Sequence, residues 1–566
     1  MQTVRRLYLY GMSGITLGVL LVGLNNLFVV VFHALGLGRG ELGSGISADR
    51  DQLSLAIALT VVGLLVWTIH WLLVERSLRS SNPAASEERA SAIRALYLSL
   101  VLAILLVFGV IAGVQLLQHV ARLMFGVLQT PDFEFLSIDV GAALATVLIA
   151  GLGWAYHAAV RRRDLAAAPM EGGGAWVPRV YLYGAALLGL VMTAINLGSL
   201  LTLAFDAVAG PAPDFVDPGF MRRSGADALA GIVGWGIVFV GHWWYATSLL
   251  RGEGWRATSE RRSLLRLAYF AAVLVACAVA TVAFGWQSLS SALGLALGAE
   301  RDSGSDPILE SLVGPLLGLL PWALAWLVHY RWMSDEIRSS DVPGRAAAGG
   351  RLAAAAVGLV GIGAFGGGAA GAVGLLLDIV LGGNRTEAGL WRHELADFLA
   401  VGLIGAALWL WNWASLQSRR AADPEGEARS TTRRAYLLIV VGVSLLVCLA
   451  SLAVVLYQLL NAVLGVDQFF NVASAISASL GALLVGGALA AYHGIVERRD
   501  HGLREATPEA AEAPAMPAAS EPMEAAAPRA VERTIRLRAA TGEEMDAAIA
   551  AVREGLPDGV ELEDSP

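Results

Sequence analysis

The sequence predicts an all-α polytopic membrane protein of about 12 transmembrane helices, arranged as six tandem two-helix repeats, with a small cytoplasmic β-α-β tail. Three observations predict it. The composition is 56% hydrophobic and only 16% charged over 566 residues, with a mean hydropathy of +0.61. The apolar residues fall in uninterrupted runs of about 20 or more, the length that a hydrocarbon core of roughly 30 Å requires. One run ending also recurs, shown best by Trp67-Thr68-Ile69-His70-Trp71 before Glu75-Arg76, where aromatic residues and a histidine precede charge.

Related endings occur at Trp154-Ala155-Tyr156-His157, His242-Trp243-Trp244-Tyr245, Trp326-Leu327-Val328-His329 and Tyr492-His493, with Trp411-Asn412-Trp413 as the variant copy. The interval is roughly 80 to 90 residues, the signature of internal repetition. In order, the predicted pairs are 7–35 with 53–73, 93–120 with 138–160, and 177–209 with 229–250. They continue as 264–297 with 309–328, 346–380 with 396–416, and 436–466 with 472–495. The first member of each pair is the longer apolar run. Backbone polar groups in lipid must be satisfied internally, so runs of this length are read as helices.

Arginine placement orients the chain. All basic residues are Arg, and they crowd the junctions between repeats: Arg76, Arg79, Arg89 and Arg94, then Arg161, Arg162, Arg163 and Arg179, and so on to Arg434. Loops within repeats are richer in acid, as at Glu41, Asp49, Asp51, Asp132, Glu134 and Asp139. Positive charge marks the cytoplasmic side, so both termini are expected in the cytoplasm. Residues 505–529, rich in Ala, Pro and Glu, read as a linker. Beyond it, a strand is expected at Thr534-Ile535-Arg536-Leu537-Arg538. A capped helix should follow from Thr541, and a second strand at Val560-Glu561-Leu562. Residues 530–566 are the candidate for self-association or a protein partner. The lipid bilayer is the other partner expected, and nucleic acid is not.

Four features carry chemistry. The histidines His70, His157, His242, His329 and His493 could ligate haem or a metal, or serve as amphipathic interface residues beside their tryptophans. Arginine followed by tyrosine opens the first helix of most pairs: Arg6 with Tyr8, Arg94 with Tyr97, Arg179 with Tyr181, Arg266 with Tyr269, and Arg434 with Tyr436. Such a pair reads as an interfacial anchor or as a contact for anionic lipid headgroups. The amides Asn25, Asn26, Gln115, Asn196, Gln287 and Gln458 mark a substrate path or interhelical hydrogen bonds. Gly363, Gly367 and Gly371 form a small-residue stripe for close helix approach, and Pro315 and Pro321 are candidate helix breaks. Cys277 and Cys448 lie in different repeats and read as buried hydrophobes. No acidic or basic residue falls at the centre of a span, which argues against ion-coupled carriers and voltage sensors.

The arginine–tyrosine opening, the downstream amides and the Trp-x-x-His closing resemble domain of unknown function 5671, a family of uncharacterised bacterial membrane domains. The resemblance spans residues 1 to 500 in several copies, excludes the tail, and implies a membrane location with no catalytic residues to transfer. The reading that follows is a non-enzymatic protein of the bacterial inner membrane, structural, sensory or interacting, with no cofactor assigned. A haem- or metal-binding redox protein and a transporter or channel for a neutral solute are the alternatives.

Overall fold

The computed structural model describes residues 2–37, 46–78, 83–127, 139–167, 175–209, 218–252, 254–299, 308–339, 344–383, 391–465 and 471–506, with 541, 546–547 and 550 in the tail. The chain divides into two units, Met1–Thr507 and Pro508–Pro566. Twelve helices of the first unit are long and apolar enough to cross a membrane. They make this a multi-pass membrane protein.

The spans group in fours, each group carrying a short helix between its second and third spans. The first module comprises α1 (Gln2–Ala34), α2 (Ile46–Leu78), α3 (Pro83–Ala90), α4 (Ala92–Met124) and α5 (Val140–Ala167). The second comprises α6 (Trp176–Ala209), α7 (Pro218–Ser248), α8 (Trp255–Arg261), α9 (Leu264–Ala296) and α10 (Ile308–Arg338). The third comprises α11 (Arg345–Val380), α12 (Trp391–Ala422), α13 (Pro424–Arg429), α14 (Thr431–Leu464) and α15 (Val472–Ala506). Within each module the first span packs on the second and the fourth, and the third packs on the fourth. Neighbouring modules meet where the third span of one lies against the first and second spans of the next: α4 on α6 and α7, and α9 on α11 and α12.

Local chemistry sets the helix ends. The short helix α13 starts on Asp423, whose carboxylate accepts from the Gly426 amide at 2.9 Å, with Pro424 in the first turn, where its missing N–H costs nothing. At the far end of the bundle, α1, α4, α9, α11 and α14 are followed by Gly36, Gly126, Gly298, Gly382 and Gly465, all at positive φ. Glycine takes that left-handed conformation without a Cβ penalty, and so terminates each helix as it leaves the apolar layer. We call this the far end. The opposite one, where the short helices and the connections between modules lie, is the junction end.

Several expectations need correction. The β-α-β tail is not supported: the chain is all-α among the described residues, with no strand, and the segments expected to pair, 534–538 and 560–562, lie outside them. The second member is the shorter helix in four of the six pairs, but α1 and α2 are both 33 residues and α15, at 35, is longer than α14, at 34. Polar turns such as Arg50-Asp51-Gln52 continue the helix beyond the apolar run. Pro315 and Pro321 do not break α10, which runs through both. Of the expected stripe only Gly371 is close, packed on the Phe398 ring of α12; the close backbone approaches of α11 to α12 are at Gly361 and Gly368. A Cβ there would strike the backbone nitrogens of Trp409 and Gly402, whereas at Gly363 or Gly367 it would meet nothing within 4 Å.

Candidate functional site

The polar chemistry of each module gathers at its junction end in two clasps. In the first, an arginine opening the first span reaches the glutamate of the short helix. Arg6 Nε donates to Glu88 at 2.7 Å, Arg179 Nε to Glu260 at 2.8 Å, and Arg351 Nε to Glu427 at 2.6 Å. The hydroxyls of Tyr10 and Tyr183 donate to the other oxygens of Glu88 and Glu260. The third module has Ala355 at this place and lacks the tyrosine.

In the second clasp, an arginine of the third span pairs with an acid near the end of the fourth. Arg94 Nε donates to Asp164 at 2.7 Å, Arg266 Nε to Glu336 at 2.7 Å, and Arg433 Nε to Asp500 at 2.8 Å. Each guanidinium also lies over an indole: Arg94 over Trp71 at 5.6 Å, Arg266 over Trp243 at 5.0 Å, and Arg433 over Trp413 at 5.6 Å. These three arginines are among the most deeply buried side chains in the protein. Burying a charge is costly unless it is paired and hydrogen-bonded, and every one of them is. The arginines expected to hold lipid headgroups are thus engaged by protein carboxylates. In the sixth helix pair the engaged residue is Arg433 rather than Arg434.

The histidines separate into two positions. His70 and His242, with Asn412 in the third module, stand on the second spans and are half-buried. Nε2 of His70 and His242 faces the hydroxyl of Tyr8 (3.4 Å) and Tyr181 (3.2 Å). His157, His329 and His493 stand on the fourth spans and are 1%, 2% and 0% exposed. Their Nδ1 atoms lie 2.8, 2.8 and 3.0 Å from the carbonyls of Gly153, Ala325 and Leu489. A carbonyl only accepts, so Nδ1 carries the proton, and Nε2 of the neutral ring is left as an acceptor. In the second module the Tyr269 hydroxyl meets His329 Nε2 at 3.2 Å. In the other two, His157 Nε2 and His493 Nε2 have no hydrogen-bond partner among the described residues. Neither do the nearby Tyr97 and Tyr436 hydroxyls or the Trp67 and Trp409 indoles. Phe239 occupies the place of those tryptophans in the second module. Among the described residues, no three His, Cys, Asp or Glu side chains come together as a metal site requires. Cys277 and Cys448 are free thiols.

The amides do not converge. Asn25 Oδ1 accepts from Thr146 on α5 at 3.0 Å, an interhelical bond. Asn196 donates to Met192 in its own helix at 2.7 Å and packs against Gly231 of α7. Gln115 and Gln287 are exposed, and Asn26 and Gln458 are half-buried.

Sequence reading missed the acids of the clasps. The signal was their spacing. The glutamate follows its arginine by 82, 81 and 76 residues in the first clasp. In the second the acid follows by 70, 70 and 67.

A family model described as Domain of unknown function (DUF5671) matches residues 6–152, 179–324 and 351–488, so each match begins in the first span of one module and reaches its fourth. No curated protein and no solved structure matches the chain.

Proposed function

We propose that this chain, which belongs to the DUF5671 family and carries its domain three times in series, is a non-enzymatic structural or interaction protein of the bacterial inner membrane. The observation that supports this best is the pair of clasps in every module. Their charged groups, the ones most able to do chemistry, are spent on each other, tying the short helix and the fourth span to the bundle. Such polar networks rigidify a core, although Asp164 Oδ1 and Glu427 Oε2 take no hydrogen bond among the described residues. The junction end faces the cytoplasm in this reading, and so do both termini. All 40 basic residues are Arg, and of those among the described residues the far end carries only Arg50, Arg122, Arg222, Arg223 and Arg392. The tail beyond residue 507 is then the cytoplasmic segment available to a partner or to a second copy.

Reporter fusions test the orientation. A fusion after Ala506 should be active only as a cytoplasmic reporter, and one within residues 128–138 only as a periplasmic reporter. The opposite pattern ends the proposal. Deleting residues 508–566 should leave insertion intact and change what co-purifies; unchanged partners would remove the tail from the proposal.

A redox reading has one observation in its favour, the buried acceptor nitrogens of His157 and His493. Purified protein would then show a haem absorbance or bound metal that disappears in His157→Ala and His493→Ala. A colourless, metal-free preparation from cells supplied with iron and haem would end it.

A further inference from the structure

We propose that the junction between the first and second modules is a binding site for an anionic glycerophospholipid of the surrounding bilayer, its phosphate held by Arg161 and an acyl chain lying along the apolar length. Between α4 and α5 on one side and α6 and α7 on the other lies a cavity of about 840 Å³. That volume falls within the roughly 300–1,000 Å³ of small-molecule sites. Its long walls are aliphatic, with Leu106, Val110, Leu117 and Val238 among them, and its polar groups include Arg161, Arg162, Tyr181, His242 and Tyr245. No carboxylate lines it.

Arg161 sets this site apart. It is buried at 9% exposed, less deeply than Arg94, Arg266 and Arg433 at 0%, 2% and 1%, yet among the described residues it makes no ion pair and no hydrogen bond. What it has is the face of Tyr181, 5.3 Å from guanidinium to ring centroid. The Tyr181 hydroxyl is in turn fixed by the Trp154 indole at 2.9 Å and by His242 at 3.2 Å. A buried cation is costly without a counter-charge, and an amphiphilic anion supplies both the charge and the chain. The occupant comes from the bilayer because the cavity is edged by Ile237 and Trp244, which are 67% and 62% exposed on the lipid-facing surface. Basic pockets between spans are a known setting for anionic headgroups.

The second junction shows what the same architecture does without a ligand. Counting from the aligned histidines and arginines, Met333 stands where Arg161 would be, Ala353 where Tyr181 would be, and Asn412 in place of His242. Met333 and Ala353 are buried, 4% and 8% exposed, in the apolar core that also holds Tyr269, Cys277 and Val357. There the junction is filled by protein.

Full-length protein in detergent, offered equal amounts of phosphatidylglycerol and phosphatidylcholine, should retain one phosphatidylglycerol per chain in native mass spectrometry. Arg161→Met, which copies the second junction, should lower that preference at least tenfold. Gly241→Leu should do the same from the apolar side, since a Cβ at Gly241 meets nothing within 4 Å and the added side chain can fill the cavity. Equal retention of the two lipids by the unaltered chain overturns the proposal, as does a well-folded Arg161→Met that keeps the preference. If palmitate binds and phosphatidylglycerol does not, the occupant is a free fatty acid and the phospholipid assignment falls. The result does not depend on whether the protein is a scaffold, since it requires only the membrane setting.

Discussion

Arg94 and Asp164 meet at 2.7 Å with neither side chain accessible to solvent. The arginine donates onward to Tyr10 at 3.2 Å and lies 3.4 Å from Glu75, so one guanidinium ties α4 to α1, α2 and α5. In a buried ion pair the attraction offsets a large desolvation cost, and removing one partner leaves the other charge stranded, at a cost of roughly 3–5 kcal/mol. Asp164→Ala leaves Arg94 only the longer contact to Glu75 as a counter-charge and should therefore be strongly destabilising. The double change Arg94→Met with Asp164→Leu removes both charges and should recover much of the loss. Thermal unfolding in detergent checks the comparison. A double variant no more stable than Asp164→Ala would show that the hydrogen bonds to Tyr10 and Glu75, rather than charge pairing, hold the clasp.

The tyrosine–histidine contact distinguishes the modules in stability as well. Tyr269 meets His329 in the second module, while Tyr97 and His157 in the first have no such bond. Tyr269→Phe strips the partner from a buried imidazole nitrogen and should cost about 1–3 kcal/mol. Tyr97→Phe removes a hydroxyl with no hydrogen-bond partner among the described residues and should cost less. The two melting temperatures, measured side by side, decide it. Equal losses would mean that the hydroxyl of Tyr97 is as well satisfied as that of Tyr269.

The spans were legible because bilayer thickness imposes a length that apolar runs such as 93–120 meet directly. Their true ends were harder to read, since turns like Arg161-Arg162-Arg163 stay helical after the apolar run stops. The two-helix repeat was visible in the recurring histidines, but not its alternation. His70 and His157 end similar sequences, and only packing against Tyr8 or against Trp71 and Tyr97 separates the half-buried position from the buried one. Glu88, Glu260 and Glu427 drew no reading from the sequence because nothing local reveals a partner about eighty residues away. Arg161 was hidden for a related reason: it sits in a run of three arginines, and only the fold shows which one turns inward.

The approach of α11 to α12 tests a reading in which sequence chose the right helix and, apart from Gly371, the wrong residues. A Cβ on Gly368 would collide with the backbone of Gly402, and backbone cannot swing aside as a flexible side chain can. Forcing atoms into a packed contact costs roughly 1–3 kcal/mol or more. Gly363 lies on the same helix, is exposed, and has open space where its Cβ would be. Alanine there relieves the backbone entropy that glycine loses in a helix, a gain of up to about 1 kcal/mol. Gly368→Ala should thus lower the unfolding temperature and the yield of monodisperse protein, while Gly363→Ala leaves both unchanged or raises them. If the order were reversed, the face through Gly363 and Gly367 would be the true contact, and the packing of α11 on α12 would have to be rotated about the helix axis.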